Sequence, residues 1–95
     1  MKRYFKRHWD ESRGDTYDSW GTSDWLFETD QEGAVNRQIE IYENGTVLKY
    51  ELDHLQDEFG MLADQNLDIA DFLESEISAH EFEESWGKFV AFNRP

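Results

Sequence analysis

Three histidines, five arginines and 22 carboxylates are the groups in this 95-residue chain from which chemistry could be built. His8, His54 and His80 show no His-x-x-x-His or similar ligand spacing, so surface or core-edge histidines are expected rather than a zinc site. Asp64-x-Asn66-x-Asp68 copies the first three ligand positions of a calcium loop. Ile69, however, stands where that loop needs Gly, and Ser75 stands where it needs a bidentate Glu. A weak cation site is the lesser reading, and no metal is expected. Two carboxylates across a cleft would suit glycoside hydrolysis, but with 22 acids some pair is always available and pairing says little. The chain has no Gly-x-Ser-x-Gly elbow, phosphate-binding loop or dinucleotide fingerprint. The expectation is therefore no catalytic residue and no cofactor. Arg37 is expected to pair with an acidic neighbour or cap the core edge, ahead of reading a substrate carboxylate.

Charge and aromatic residues are more informative. The formal net charge is −13. No Lys or Arg lies between Lys49 and Lys88, while twelve carboxylates run from Glu51 to Glu84. Such a surface repels nucleic acid and anionic lipid and draws in a basic partner. On charge alone, an ordinary solubilising surface is the stronger reading. Four Trp, four Tyr and seven Phe exceed what so small a core can bury completely, and they argue against disorder. Trp25, Phe27, Phe82 and Trp86 are expected in the core. Trp20 precedes a glycine loop and Tyr42 lies on a polar strand face, so these two are expected to be exposed, as binding anchors often are. The expected partner-binding set is Trp20, Tyr42, Asp53, Asp57, Glu58, Asp64 and Asp68. The expected partner is a basic protein, with no nucleic acid and no membrane, and the chain itself a monomer or weak homodimer.

These residues are positioned by a hairpin, Arg37 to Leu52, whose alternating runs flank Asn44-Gly45. A two-residue type I′ turn there sets Ile41 opposite Leu48 and Ile39 opposite Tyr50. Ile39, Ile41, Leu48 and Tyr50 then share one face, with Glu40, Lys49, Tyr42 and Val47 on the other. Arg3 to Trp9 reads as a first strand with Phe5 and Trp9 on one face. Asp10 to Asp15 reads as a turn, and Trp25 to Thr29 as another strand. Matching Trp25 and Phe27 to the Ile39/Ile41 face leaves a loop of three or five residues; Gln31 to Gly33, with Gly33 left-handed, is preferred. Beyond Leu52 the pattern is irregular. Asp68 could cap one helical turn. Ser78-Ala-His-Glu81 is a capping box with Ile77 and Phe82 at the staple positions, and Gly87 is a plausible end. Phe89 to Pro95 is a tail that adds a strand or docks.

The reading is one α+β domain, spanning 1–95: an antiparallel meander of about four strands with one short C-terminal helix packed on it. There is no Cys. The basic start, Met1 to Trp9, has no apolar stretch behind it, and no run of 18 apolar residues occurs. A cytoplasmic location is expected.

Arg37-x-Ile-Glu-Ile-Tyr-Glu-Asn-Gly and Glu76-Ile-Ser-x-x-Glu-Phe-Glu-x-x-Trp86, with Tyr4-Phe-Lys and Trp25-x-Phe27-Glu before them, resemble a family of small bacterial proteins of unknown function. The resemblance covers nearly the whole chain. Such proteins lie near polymorphic toxin systems, so it implies an immunity role and no catalytic residues. His54 to Asp68 departs from the family pattern, where a partner-specific surface would fit. The leading expectation is a non-enzymatic binder of the kind that blocks a basic, nuclease-like toxin; a nucleic-acid mimic, an enzyme with a concave pocket and a housekeeping interaction domain are the alternatives.

Overall fold

In the computed structural model, which describes residues 1–94, the protein is an α+β domain built on a five-stranded antiparallel sheet. Its strands are β1 (Arg3–Trp9), β2 (Ser23–Thr29), β3 (Val35–Tyr42), β4 (Val47–Glu51) and β7 (Glu76–Ile77), in the order β4-β3-β2-β1-β7. The first four form the meander expected from the sequence. The two-residue β7 adds an edge, with Ile77 opposite Tyr4 and Glu76 opposite Phe5.

Both long hairpins close through the same three-residue turn. Asp30 N donates to Ala34 O and Gly33 N to Asp30 O; Tyr42 N donates to Thr46 O and Gly45 N to Tyr42 O. In each turn only the glycine takes positive φ, 96° at Gly33 and 94° at Gly45. Asn44 does not, so the central turn is a type I turn with a glycine bulge rather than type I′. That single extra loop residue shifts the expected register: Ile41 opposes Val47, Glu40 opposes Leu48 and Ile39 opposes Lys49. A one-residue slip turns a whole strand over. Leu48 and Tyr50 therefore join Gln38, Glu40 and Tyr42, while Lys49 joins Ile39 and Ile41. The slip is stabilised at both faces. Leu48 and Tyr50 become fully buried, and Lys49 Nζ donates to Trp86 O at 2.6 Å near a helix C-terminus, where a cation is favoured.

In the β2–β3 hairpin the loop Gln31 to Gly33 forms as expected, but the register shifts between Glu28 and Thr29, leaving Asn36 as the extra residue. Trp25 then opposes Glu40 and Phe27 opposes Gln38. The pairing of Trp25 and Phe27 with the Ile39/Ile41 face is thus corrected by a bulge that the composition does not announce.

Each face of the sheet has its own cover. Helix α2 (Ala79–Lys88) lies on the Leu26/Ile39/Val47 face. Its N-cap Ser78 accepts from Glu81 N at 3.0 Å, and it runs through Gly87 to Lys88. Phe82 is fully buried, 5.2 Å from the Tyr4 ring, and stacks on Trp86. Arg37 ties the helix down: its Nη2 lies 2.5 Å from both Glu28 on β2 and Glu83 on α2, and its guanidinium sits over Phe82 and Trp86. The opposite face is covered by the crossover from β4 to β7, residues 52–75. This segment contains the ribbon β5 (Gln56–Asp57) and β6 (Gly60–Met61) and the single-turn helix α1 (Ile69–Phe72), whose N-cap Asp68 accepts from Ala70 N. Leu62 is buried among Phe27, Leu48 and Tyr50, with Phe59 and Phe72 packed against them. After α2 the tail docks on the open edge of β4: Phe92 N donates to Val47 O, and the Asn93 side chain pairs with both N and O of Lys49. It thereby covers backbone groups that would otherwise recruit another strand. Pro95, the last residue of that tail, lies outside the described residues.

Candidate functional site

The crossover layer holds most of the expected binding residues, and the structure separates them by task. Asp57 is an internal hub. It accepts from Tyr50 Oη (2.8 Å), His54 Nε2 (2.9 Å), Phe59 N (2.9 Å) and Asn93 Nδ2 (2.8 Å). Burial would raise its pKa, but these bonds outweigh burial and lower it to about 2. Asp57 is a fastener between crossover, sheet and tail rather than a free contact. Asp68 caps α1, and Asn66 Nδ2 donates to Glu32 O, so the Asp64-Asn66-Asp68 pattern is divided between local tasks. Asp53 faces Arg94 at 3.4 Å. Glu58 and Asp64, with Glu74 beyond them, are exposed and meet no cation within ion-pair distance among the described residues.

The expected exposed aromatics are both buried. Trp20 is 9% exposed and packs against Tyr17, Tyr42, Phe59 and Phe92. Tyr42 is 3% exposed. The correction follows from the turned-over strand and the crossover: the face of Gln38, Glu40 and Tyr42 is not wet but roofed. In place of aromatics, the crossover exposes Leu52, Leu55, Met61 and Leu73 beside its carboxylates.

The histidines stay apart. His8 lies between Asp24 (2.7 Å) and Asp10 (3.0 Å), and the Asp24 hydrogen bond raises its pKa. His54 bonds Asp57, and His80 lies 3.6 Å from Glu84 on the exposed face of α2. Among the described residues no three His, Cys, Asp or Glu side chains stand close enough to hold a metal ion.

Under the roof lies a feature the sequence reading missed, a cavity of about 570 Å³ between the sheet and the crossover. Trp25, Phe27, Phe59 and Phe72 give it an aromatic lining, Glu40 and Asp15 contribute carboxylates, Tyr42 a phenol, and Arg7 and Arg13 two guanidiniums. Such a volume lies within the range of small-ligand pockets. Glu40 is 3% exposed; Oε1 accepts from Tyr42 Oη at 2.6 Å and Oε2 from Gln38 Nε2 at 2.8 Å. Burial raises the Glu40 pKa against the lowering effect of those two bonds, and burial followed by the negative charge of Glu40 raises that of Tyr42. Arg13 donates to Tyr42 Oη (3.2 Å), to Phe59 O and to Asp15 (3.1 Å). Arg7 lies 3.7 Å from the centre of the Phe72 ring and bonds Asp71. The available signal was the alternation Gln38-x-Glu40-x-Tyr42, which reads as a solvated face until the slip places Leu48 and Tyr50 beside it.

Fold and site together define a small α+β domain with an acidic, aliphatic-studded outer layer over an aromatic cavity. No family model, curated protein or solved structure matches the chain.

Proposed function

We propose that the chain is a non-catalytic protein-binding domain that occupies a basic partner through its crossover layer, as an immunity protein blocking a basic, nuclease-like toxin in the cytoplasm would. The observation carrying this reading is where the unbalanced charge lies. All five arginines pair with carboxylates of the same chain: Arg3 with Glu76, Arg7 with Asp71, Arg13 with Asp15, Arg37 with Glu28 and Glu83, and Arg94 with Glu51 and Asp53. The crossover contributes seven carboxylates and no Lys or Arg, and Glu58, Asp64 and Glu74 remain outward. These would stand in for phosphates as ligands of the partner's cations. Leu55, Met61 and Leu73 would supply apolar contact. Charge would govern the association rate, and the apolar contacts the dissociation rate.

The test is growth rescue. A toxin domain encoded beside this chain's gene should arrest a host when expressed alone, and the chain should restore growth. The triple variant Glu58→Lys, Asp64→Lys, Glu74→Lys should fold and fail to restore it. Full rescue by that variant, or the lack of any toxin domain the chain neutralises, would overturn the reading.

A further inference from the structure

We propose that the cavity between sheet and crossover binds an organic cation, an ammonium or guanidinium group on an apolar stem, with Glu40 as its counter-ion. The chain buries two β-sheet glutamates almost completely, and their surroundings differ. Glu28, 2% exposed, has Arg37 at 2.5 Å and Lys2 at 3.4 Å. Glu40, at 3%, accepts only from the neutral donors Tyr42 and Gln38; no Lys or Arg among the described residues forms an ion pair with it, and Arg13 acts on it only from beyond Tyr42 Oη, to which it donates. Buried carboxylates are ordinarily paired with a cation. Here the missing cation borders on a space large enough to admit one.

The walls suit that occupant. A cation is attracted to an aromatic face within about 6 Å of its centre, and Trp25, Phe27, Phe59 and Phe72 line the space. The chain already uses this mode in the cavity's own lining: Arg7 sits over Phe72, and Arg13 lies 5.4, 5.3 and 5.8 Å from the ring centres of Tyr17, Trp20 and Tyr42. Both of these guanidiniums are balanced by Asp71 and Asp15, so Glu40 carries the unmatched charge of the lining. The net charge of −13 favours a cation's approach. A ligand that brought only apolar surface would fill the walls and leave Glu40 as it is. The same chemistry is offered by a free amine and by a basic side chain of a protein, and the inference does not require the partner reading above.

The probe is n-butylguanidinium, with n-butylurea as its neutral analogue, titrated into the full chain by calorimetry and tryptophan fluorescence. The guanidinium should bind at least about tenfold more tightly than the urea. Glu40→Gln should abolish that preference while circular dichroism shows the fold retained. Where Glu40→Gln does not fold, Met61→Trp, which fills the cavity from exposed β6, should block guanidinium binding. Equal binding of guanidinium and urea, undiminished binding by either folded variant, or no binding of the cation overturns the proposal. Agmatine and an arginine-containing tripeptide amide separate the sources: tighter agmatine binding marks a free amine, and tighter peptide binding a partner's side chain, each in support. The Glu58, Asp64 and Glu74 variants should keep the preference for butylguanidinium over butylurea that Glu40→Gln abolishes, so failure of the partner reading and failure of the cation site are separately visible.

Discussion

Asp57 shows how a single side chain changes meaning between sequence and structure. As one acid among 22 it reads as part of a solvated, partner-facing surface. In the fold it gathers four donors from β4, the crossover and the tail, and its pKa falls to about 2 from the ordinary aspartate value of 3.8. The folded state therefore binds the Asp57 proton more weakly than the unfolded chain. The resulting stabilisation is fully present above about pH 4 and is lost as pH falls through about 2. Its size is about 2 kcal/mol. Asp57→Asn should lower unfolding free energy at neutral pH by about that amount and flatten the acid limb between those pH values, as read by urea denaturation at a series of pH values. An unchanged acid limb would show that the four bonds contribute nothing. Trp20 and Tyr42 were misjudged for the same reason as Asp57. Exposure depends on what covers a residue, and the irregular stretch that covers them has no period from which its path can be read. Glu40 escaped notice because a buried acid and a wet one look alike in an alternating strand. Arg37 was legible, since an arginine projecting from an apolar strand face has few stable solutions other than an acidic neighbour.

At the scale of elements, the strands and α2 follow from local signals. Period-two runs, glycine-bearing turns and the Ser78 cap each specify one structure. Register is less legible, because it depends on which turn a Gly-containing loop adopts. Asn44-Gly45 allows both a two-residue and a three-residue loop, and the choice was made by burial of Leu48 and Tyr50 and by the contact of Lys49 with α2. The strand β7 was missed because two residues carry no periodicity; Glu76 and Ile77 become a strand only by lying along β1, where Glu76 bonds Arg3 at 2.8 Å. The two turn glycines give a sharp test. Both need positive φ, but a Cβ on Gly45 would meet open space, whereas one on Gly33 would press on the backbone of Leu67, which itself donates to Gly33 O. Gly45→Ala should cost about 1 kcal/mol of strain. Gly33→Ala should cost about 2 kcal/mol or more, because the crossover must also move. Thermal unfolding of the two variants checks the order, and equal costs would mean that the Leu67 contact is not maintained.

For the whole molecule, the organising fact is a sheet with two unlike covers. The helix side is fastened by Arg37 and closed; the crossover side is acidic outside and hollow beneath. Among the described residues no helix is long and apolar enough to cross a membrane. The acidity of residues 51–84 was plain in the sequence, but its division was not: the path from β4 to β7 lays the seven carboxylates of residues 52–75 on one side of the sheet, while Glu81, Glu83 and Glu84 lie with α2 on the other. If that layer acts by charge, binding must respond to screening, since exposed charges are muted as the Debye length shrinks from about 14 Å at 0.05 M salt to about 4 Å at 0.5 M. The most direct measurement is the dissociation constant with the proposed partner, a basic toxin domain encoded beside this chain's gene, taken across about 0.05 to 0.5 M salt. The account predicts weakening by at least about tenfold, carried mainly by the association rate. A complex whose affinity is the same at both ends of that range would contradict it.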